Sequence, residues 1–263
     1  MQTVVIKYGG SVSGEPTNLL KDIARAAQYG VRIVVVHGGG PEITALLQQL
    51  GHTSTFVDGH RVTDEATLDA VEMVLAGRVG KRLVRTLAAY GASAVGVSGQ
   101  DGEMVLAEAY PSDESLGYVG RVVQIHDRLL SVLLDAGYIP VVAPLGVDQQ
   151  GRVRNINADL VAGSIAGQLQ ADAFILATDV AGVKRSPDDT EPVASLTMQE
   201  VEQWIQEGII TGGMIPKVSS ALDALRLGAK EARIVDGRKT GLFSALLQET
   251  AFGTQIITNR EEG

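Results

Sequence analysis

The chain contains no cysteine, which removes disulfides, thiolate metal sites and a cysteine nucleophile from consideration. Its four histidines are scattered, and none falls in an HxxxH or HExxH zinc spacing. No apolar run approaches the roughly 18 residues of a membrane span, so a bilayer role is not expected. The first strand-like run is not preceded by a basic region, a long apolar stretch and a small-residue cleavage site, so the sequence reads as cytoplasmic. Positive charge is scarce: 22 Lys and Arg stand against 31 Asp and Glu, a net charge of -9. This balance argues against nucleic-acid binding through a basic face. Any anionic ligand has to be met by a few local cations and backbone N–H groups. Also absent are GxxxxGK[ST] and GxGxxG, so the chain is neither a P-loop NTPase nor an ordinary dinucleotide binder.

What is present is an alternation. Across 263 residues, 45% of them hydrophobic, β-rich apolar runs recur at Thr3 to Ile6, Arg32 to Val36, Ala94 to Val97, Ile139 to Ala143, Ala173 to Ala177 and Glu231 to Val235. Helical spacing fills most of the intervals: Thr17 to Gln28, Glu42 to Leu50, Glu65 to Ala89, His126 to Ala136, Asp159 to Leu169, Met198 to Glu207 and Lys217 to Leu227. Strands buried on both faces and separated by helices predict an α/β fold, a three-layer αβα sandwich around a mainly parallel sheet. Gly102 to Ile125 departs from this pattern and reads as an antiparallel hairpin able to cover a site. SPDDTE, Ser186 to Glu191, reads as a surface loop. The chain divides into a first lobe, residues 1–170, and a second, residues 171–263, with no linker between them.

Two strands end in glycine. KYGGS follows the first run, placing Lys7, Gly9, Gly10 and Ser11 at its end, and HGGGPE places His37, Gly38, Gly39 and Gly40 after the second. In an open α/β sheet, ligands bind at the carboxyl ends of strands, where N–H groups and a helix N-terminus face a crevice. Glycine admits an anion with no Cβ in the way. Both turns therefore read as anion cradles on one lip of the sheet, although either alone could be a packing turn.

Polar chemistry gathers in four further stretches: DGHRVTDEA, RNINADLVA, ATDVAGVK and GGMIPKVSSA. Lys217 would open a helix, where the macrodipole disfavours a cation, so either it is simply solvated or it has a task other than helix stability. Asp159 either satisfies first-turn N–H groups or takes part in chemistry. Arg61 is an ordinary loop arginine or a bidentate clamp on a carboxylate. His37 reads as a turn residue bonded to backbone rather than as a base. Glycine turns with sparse cations suit phosphoryl transfer, in which catalysis is mostly positioning and charge neutralisation.

In order and spacing, KYGGS, VVHGGGPEI, GHRVTD, NINAD, TDVAGV, GIITGGMIPKV and GTQI resemble the N-acetylglutamate kinases of the amino acid kinase family, from Thr3 to Ile256. The resemblance implies a carbamate kinase-like fold. It also implies ATP-dependent phosphorylation, with Mg²⁺, of the γ-carboxylate of N-acetyl-L-glutamate, the second step of arginine biosynthesis. Lys7 and Lys217 match the lysines that stabilise the phosphoryl group in transit, and Asp159 the aspartate that holds them. Gly10 and Gly39 match backbone donors to that group. Gly39, Gly40, Arg61 and Asn155 match the acyl-amino-acid site, and residues 1–170 the lobe for that substrate and for dimerisation. Asp179, Val180, Ala181, Gly182, Val183 and Lys184, with Ile209, Ile210 and Thr211, match ATP-binding segments of the second lobe, and the hairpin matches a lid. No protein metal ligands are implied. His60 stands where the resemblance leads one to expect an apolar residue. Arginine-inhibited members carry an extra helix before the first strand; with that strand starting near Thr3, the expectation is a homodimer insensitive to arginine. Two alternatives accompany this reading: a related kinase acting on aminoadipate or another carboxylate, and a non-catalytic ligand sensor of the same fold. Keeping Lys7, Asp159 and Lys217 argues against the sensor.

Overall fold

Six β-rich runs become six parallel strands of one sheet, five of them one or two residues longer than the sequence pattern and one, Ile139–Ala143, coinciding with it. They are β1 (Thr3–Tyr8), β2 (Arg32–His37), β5 (Ala94–Ser98), β8 (Ile139–Ala143), β11 (Ala173–Thr178) and β13 (Glu231–Asp236). The computed structural model describes residues 1–9, 18–57, 59–110, 114–186, 188–239, 241–242, 244 and 252–258. Two short strands complete the sheet, β12 (Ser195–Thr197) and β14 (Thr254–Ile257), in the order β12-β14-β13-β11-β1-β2-β8-β5. Among the described residues, β13–β14 is the one antiparallel pair of this sheet. These last two strands escape the sequence pattern because each is too short to show a period.

Because strand side chains alternate, each strand feeds two cores. Val4, Ile6 and Tyr8 of β1, with Ile33 and Val35 of β2, face helices α1 (Asn18–Gln28), α2 (Gly40–Gln49), α3 (Glu65–Glu72) and α4 (Gly80–Ala89). Val5 of β1, with Val34 and Val36 of β2, faces α5 (Arg128–Asp135), α6 (Ala158–Gln168), α7 (Met198–Gln206) and α8 (Met214–Arg226). This is the expected sandwich. The parity also sends Lys7, two residues after Val5, to the α6 side, and His37, two after Val35, to the opposite side. Both residues belong to their strands rather than following them, a correction to the sequence reading.

Two helices differ from expectation. The span Glu65 to Ala89 is continuous but contains a π-helical stretch, Met73–Val79, between α3 and α4. Helix α8 begins at Met214, not Lys217. Pro216 is tolerated because the N–H groups of a first turn have no intrahelical acceptor.

The expected hairpin exists as β6 (Val105–Ala109) and β7 (Gly120–Ile125), and residues 111–113 of its turn lie outside the described residues. It is not isolated. With β9 (Leu145–Val147) and β10 (Val153–Asn155) it forms a second sheet, β10-β9-β6-β7. A small antiparallel ladder pairs β3 (Phe56–Val57) with β4 (His60–Arg61). Among the described residues no helix is long and apolar enough to cross a membrane.

The four-stranded sheet is fastened by a buried ion cluster. Asp148 accepts from Arg154 Nη2 at 2.8 Å and Arg152 Nε at 2.9 Å, and from the backbone N–H groups of Gln150 and Arg152 at 3.0 Å. Burial opposes its ionisation, but these bonds outweigh that penalty and hold its pKa at about 2. A carboxylate held below its ordinary 3.8 adds stability above that value and loses it as pH falls through about 2. Asp148→Asn leaves Arg154 buried without its partner and should cost about 3 kcal/mol at pH 7. Urea unfolding of both proteins checks this: the gap should close between about pH 4 and pH 2, and a gap that persists at pH 2 would assign the loss to packing instead.

Candidate active site

At the carboxyl edge of the sheet the two glycine turns are neighbours, as expected. Gly9 N–H donates to Ala177 O at 3.2 Å and Gly38 N–H to Tyr8 O at 3.3 Å, which ties the exits of β1, β2 and β11 together. Gly10 and Ser11 lie outside the described residues.

Lys7 Nζ sits 2.8 Å from Asp159 Oδ1, with both side chains largely buried. The pair is close but not aligned as a directed hydrogen bond, and Oδ1 has no hydrogen-bond partner among the described residues. Asp159 occupies the first turn of α6, where the Asn157 side chain caps its N–H at 2.8 Å. Its carboxylate is therefore free of the capping duty that the bland reading gave it. The Asp159 carbonyl accepts from Ser220 Oγ of α8 at 2.6 Å. Helices α6 and α8 can approach so closely because Gly163 and Gly167 face α8. A Cβ at 163 would lie 3.0 Å from Ser220 O and Oγ, and one at 167 would lie 2.2 Å from Leu227 Cβ. Lys217, in the first turn of that neighbouring helix, makes no ion pair with Asp159 here; its Nζ lies 3.4 Å from Gly213 O.

A cavity of about 200 Å³ is lined by Gly38, Gly39, Gly40, His60, Arg61 and Asn155, with Ile156 to Ala158 at the α6 end. It gathers every acyl-substrate residue expected from the sequence. Arg61 is buried, not a surface arginine. Its guanidinium donates to Ser54 Oγ, to Gly40 O at 3.1 Å and to Thr44 Oγ1 at 2.9 Å, and it lies 4.7 Å over the Phe56 ring. Three of its five donors are thus engaged, and burial lowers its pKa. Asn155 Nδ2 donates to Thr63 Oγ1 at 3.0 Å, which leaves the amide oxygen without a hydrogen bond among the described residues. The His60 ring packs against that of Tyr110, just after β6, at a 45° tilt with centroids 4.5 Å apart.

A second cavity, about 500 Å³, is lined by Val180 to Lys184 and Ile209 to Thr211, with Met214, Asp236, Arg238 and Lys239. It gathers the expected nucleotide segments except Asp179. That residue is beside it: its carbonyl accepts from Arg238 Nη2 at 2.7 Å. Apolar side chains and three cations, Lys184, Arg238 and Lys239, share this cavity. Arg238 and Lys239 went unnoticed in the sequence. The signal was there, since DGRKTG follows the run EARIV as KYGGS follows TVVI. Thr254 builds the loop from the far side: its Oγ1 accepts from Val183 N–H at 2.8 Å and donates to Val193 O at 2.6 Å.

The amino acid kinase family model matches residues 2–236. The chain belongs to the amino acid kinase family. This kinase is 46% identical over 257 residues to the acetylglutamate kinase of Jannaschia sp. (strain CCS1), covering 96% of this chain and 89% of that protein. Among solved structures, smu.665 of Streptococcus mutans UA159 superimposes with a TM-score of 0.83 at 32% identity, covering 98% of this chain and 99% of the other. Carbamate kinase from Giardia lamblia bound to AMP-PNP superimposes with a TM-score of 0.73 at 18% identity over 98% of this chain and 99% of that one, a likeness of fold.

The spacing of α6 and α8 can be tested directly. Gly163→Val should wedge the helices apart, costing about 2 kcal/mol and lowering Tm by roughly 5 °C. It should also depress turnover, because Asp159 and Lys217 ride on the two helices. Calorimetry with a kcat measurement decides: a variant as stable and active as wild type would show that the close approach is dispensable.

Proposed function

We propose that this chain is an acetylglutamate kinase, a cytoplasmic homodimer that transfers the γ-phosphoryl group of ATP to the γ-carboxylate of N-acetyl-L-glutamate, yielding N-acetyl-L-glutamyl 5-phosphate and ADP. One observation carries the reading: a small cavity with anion donors and a larger cavity with cations and apolar walls adjoin the two helices that bear Asp159 and Lys217. Ala158, next to Asp159, lines the first cavity; Met214, one helical turn before Lys217, lines the second. The printed name of the 46% identical relative supports the choice of acceptor.

The chemistry follows from charge. A carboxylate with an ordinary pKa near 4.3 is already ionised at pH 7, so no general base is needed. The barrier is the meeting of two anions: at about 4 Å and an effective dielectric of about 20, unit like charges repel by roughly 4 kcal/mol. We assign Lys7 and Lys217 to neutralising the phosphoryl group in flight, Asp159 to holding Lys7, and the N–H groups of Gly10 and Gly39 to donating to its oxygens. Arg61, Gly40 and Asn155 grip the acyl amino acid, and the residues from Asp179 to Lys184 and from Ile209 to Thr211 hold the nucleotide. Mg²⁺ enters as part of the nucleotide substrate, with phosphate oxygens and water as its main ligands and phosphate charge as what it neutralises. Residues 1–170 form the acyl-substrate lobe and residues 171–263 the nucleotide lobe. The homodimer accords with β5, an edge strand bearing Val95 and Val97 that needs cover.

The deciding assay follows ATP-dependent acyl phosphate, trapped as a hydroxamate, with N-acetylglutamate beside glutamate, aspartate and aminoadipate. Preference for N-acetylglutamate supports the reading; turnover of another acid alone would keep the kinase and replace its substrate. Lys217→Ala should lower kcat by about 100-fold while moving either KM by less than about threefold. Unchanged kcat would remove Lys217 from the mechanism. Arg61→Ala should raise KM for N-acetylglutamate about tenfold and leave that for ATP near normal. Equal effects on both substrates would make Arg61 structural.

A further inference from the structure

His37 opens the HGGGPE turn without an assigned task, and its surroundings are unusual. The imidazole is fully buried at the end of β2. Nδ1 lies 3.0 Å from Gly38 O. A carbonyl oxygen only accepts, so Nδ1 carries the proton and Nε2 is the bare nitrogen. Nε2 is buried and has no hydrogen-bond partner among the described residues. It faces Gly80, where a Cβ would lie 3.3 Å from Nε2 and 3.1 Å from Leu75 O, so the end of the π-helical stretch is shaped around the ring. Burial lowers the pKa of this histidine to about 4, leaving it neutral at physiological pH.

The carbonyl that His37 holds and the N–H of Gly39 belong to a single peptide unit. In a planar trans peptide the C=O and N–H bonds point in opposite directions. Drawing Gly38 O toward the buried ring therefore turns Gly39 N–H away from it, toward the cavity that Gly38, Gly39 and Gly40 line. The other side of Gly39 is closed: a Cβ there would lie 2.7 Å from Leu75 Cδ2 and 3.2 Å from Val79 Cγ2, both from the π-helical stretch. We propose that His37 is a positioning residue which, through the Nδ1–H bond to Gly38 O, aims the Gly39 N–H at the phosphoryl group during transfer. This rests on the kinase reading above and adds to it a residue that touches no substrate. His37 moves no proton; it fixes the direction of one donor. A donor aimed before the reaction costs no reorganisation during it.

Two substitutions separate aim from packing. His37→Leu fills the buried space but cannot donate; His37→Asn is smaller but carries an N–H near the position of Nδ1. A positioning role predicts opposite orders for stability and activity. Leu should be the more stable variant and lose about tenfold to a hundredfold in kcat with both KM values within about threefold, whereas Asn should recover most of the kcat. Asn as slow as Leu, or Leu within twofold of wild type, would overturn the proposal. So would a wild-type kcat profile with an ionisation near pH 6.5 that vanishes in His37→Asn, since the imidazole would then be a base. If neither variant folds, the long-range ¹H–¹⁵N spectrum of the wild-type histidines decides: protonation at Nδ1 supports the proposal and protonation at Nε2 overturns it. That spectrum needs no substrate, so it stands apart from the acceptor assignment. Failure of wild type to turn over N-acetylglutamate would sink the acceptor and leave the His37 test in force with whichever carboxylate is used.

Discussion

The contact between Lys7 and Asp159 is the constraint around which the site is arranged. One comes from the first strand and the other from the first turn of a helix in the second half of the sequence, and they meet at 2.8 Å with little solvent. Burying two charges is costly unless each has its counterion, so the pair dictates where α6 must begin and how β1 must present its face. Asn157 takes over the capping bond, which leaves the Asp159 carboxylate to the lysine. Ser220 then fastens α8 to the same residue's carbonyl. A single ion pair thus sets the relation of one strand and two helices.

Glycine serves this edge of the sheet for two different reasons. At Gly38 and Gly40 a Cβ would meet nothing within 4 Å, so its absence keeps open space open. At Gly39 a Cβ would collide with Leu75, and at Gly163 it would press on Ser220; there the absence lets protein meet protein. The local sequence looks alike in both cases. Only the neighbours tell whether a glycine makes room for a ligand or for another helix.

Much of this arrangement was legible beforehand. The parity of TVVIK places Lys7 on the face of Val5, and the alternation of strands and helices yields the sandwich. The glycine turns mark the edge where the cavities lie. What escaped did so for physical reasons. The β12 and β14 strands are too short for a period. Helix α8 begins before Pro216 because proline reads as a stop although a first turn accepts it. Met73 to Val79 has the composition of an α-helix, and no local pattern marks the wider winding of this stretch, which packs closely beside Gly39. Arg61 could pass for an ordinary loop arginine because its burial depends on partners remote in sequence, Gly40 and Thr44.

The geometry of β14 carries a consequence for synthesis. Thr254 supplies the acceptor for Val183 N–H, and β12 has β14 as its sole ladder partner among the described residues. On a ribosome the chain emerges from its N-terminus, and domains tend to fold as they appear. The strands that frame the smaller cavity are then all available well before residue 254, whereas the loop of the larger cavity lacks a partner for that N–H until Thr254 emerges. The larger cavity is therefore the last to acquire its shape, and a nascent chain cannot present it finished before nearly all of its strands have been made.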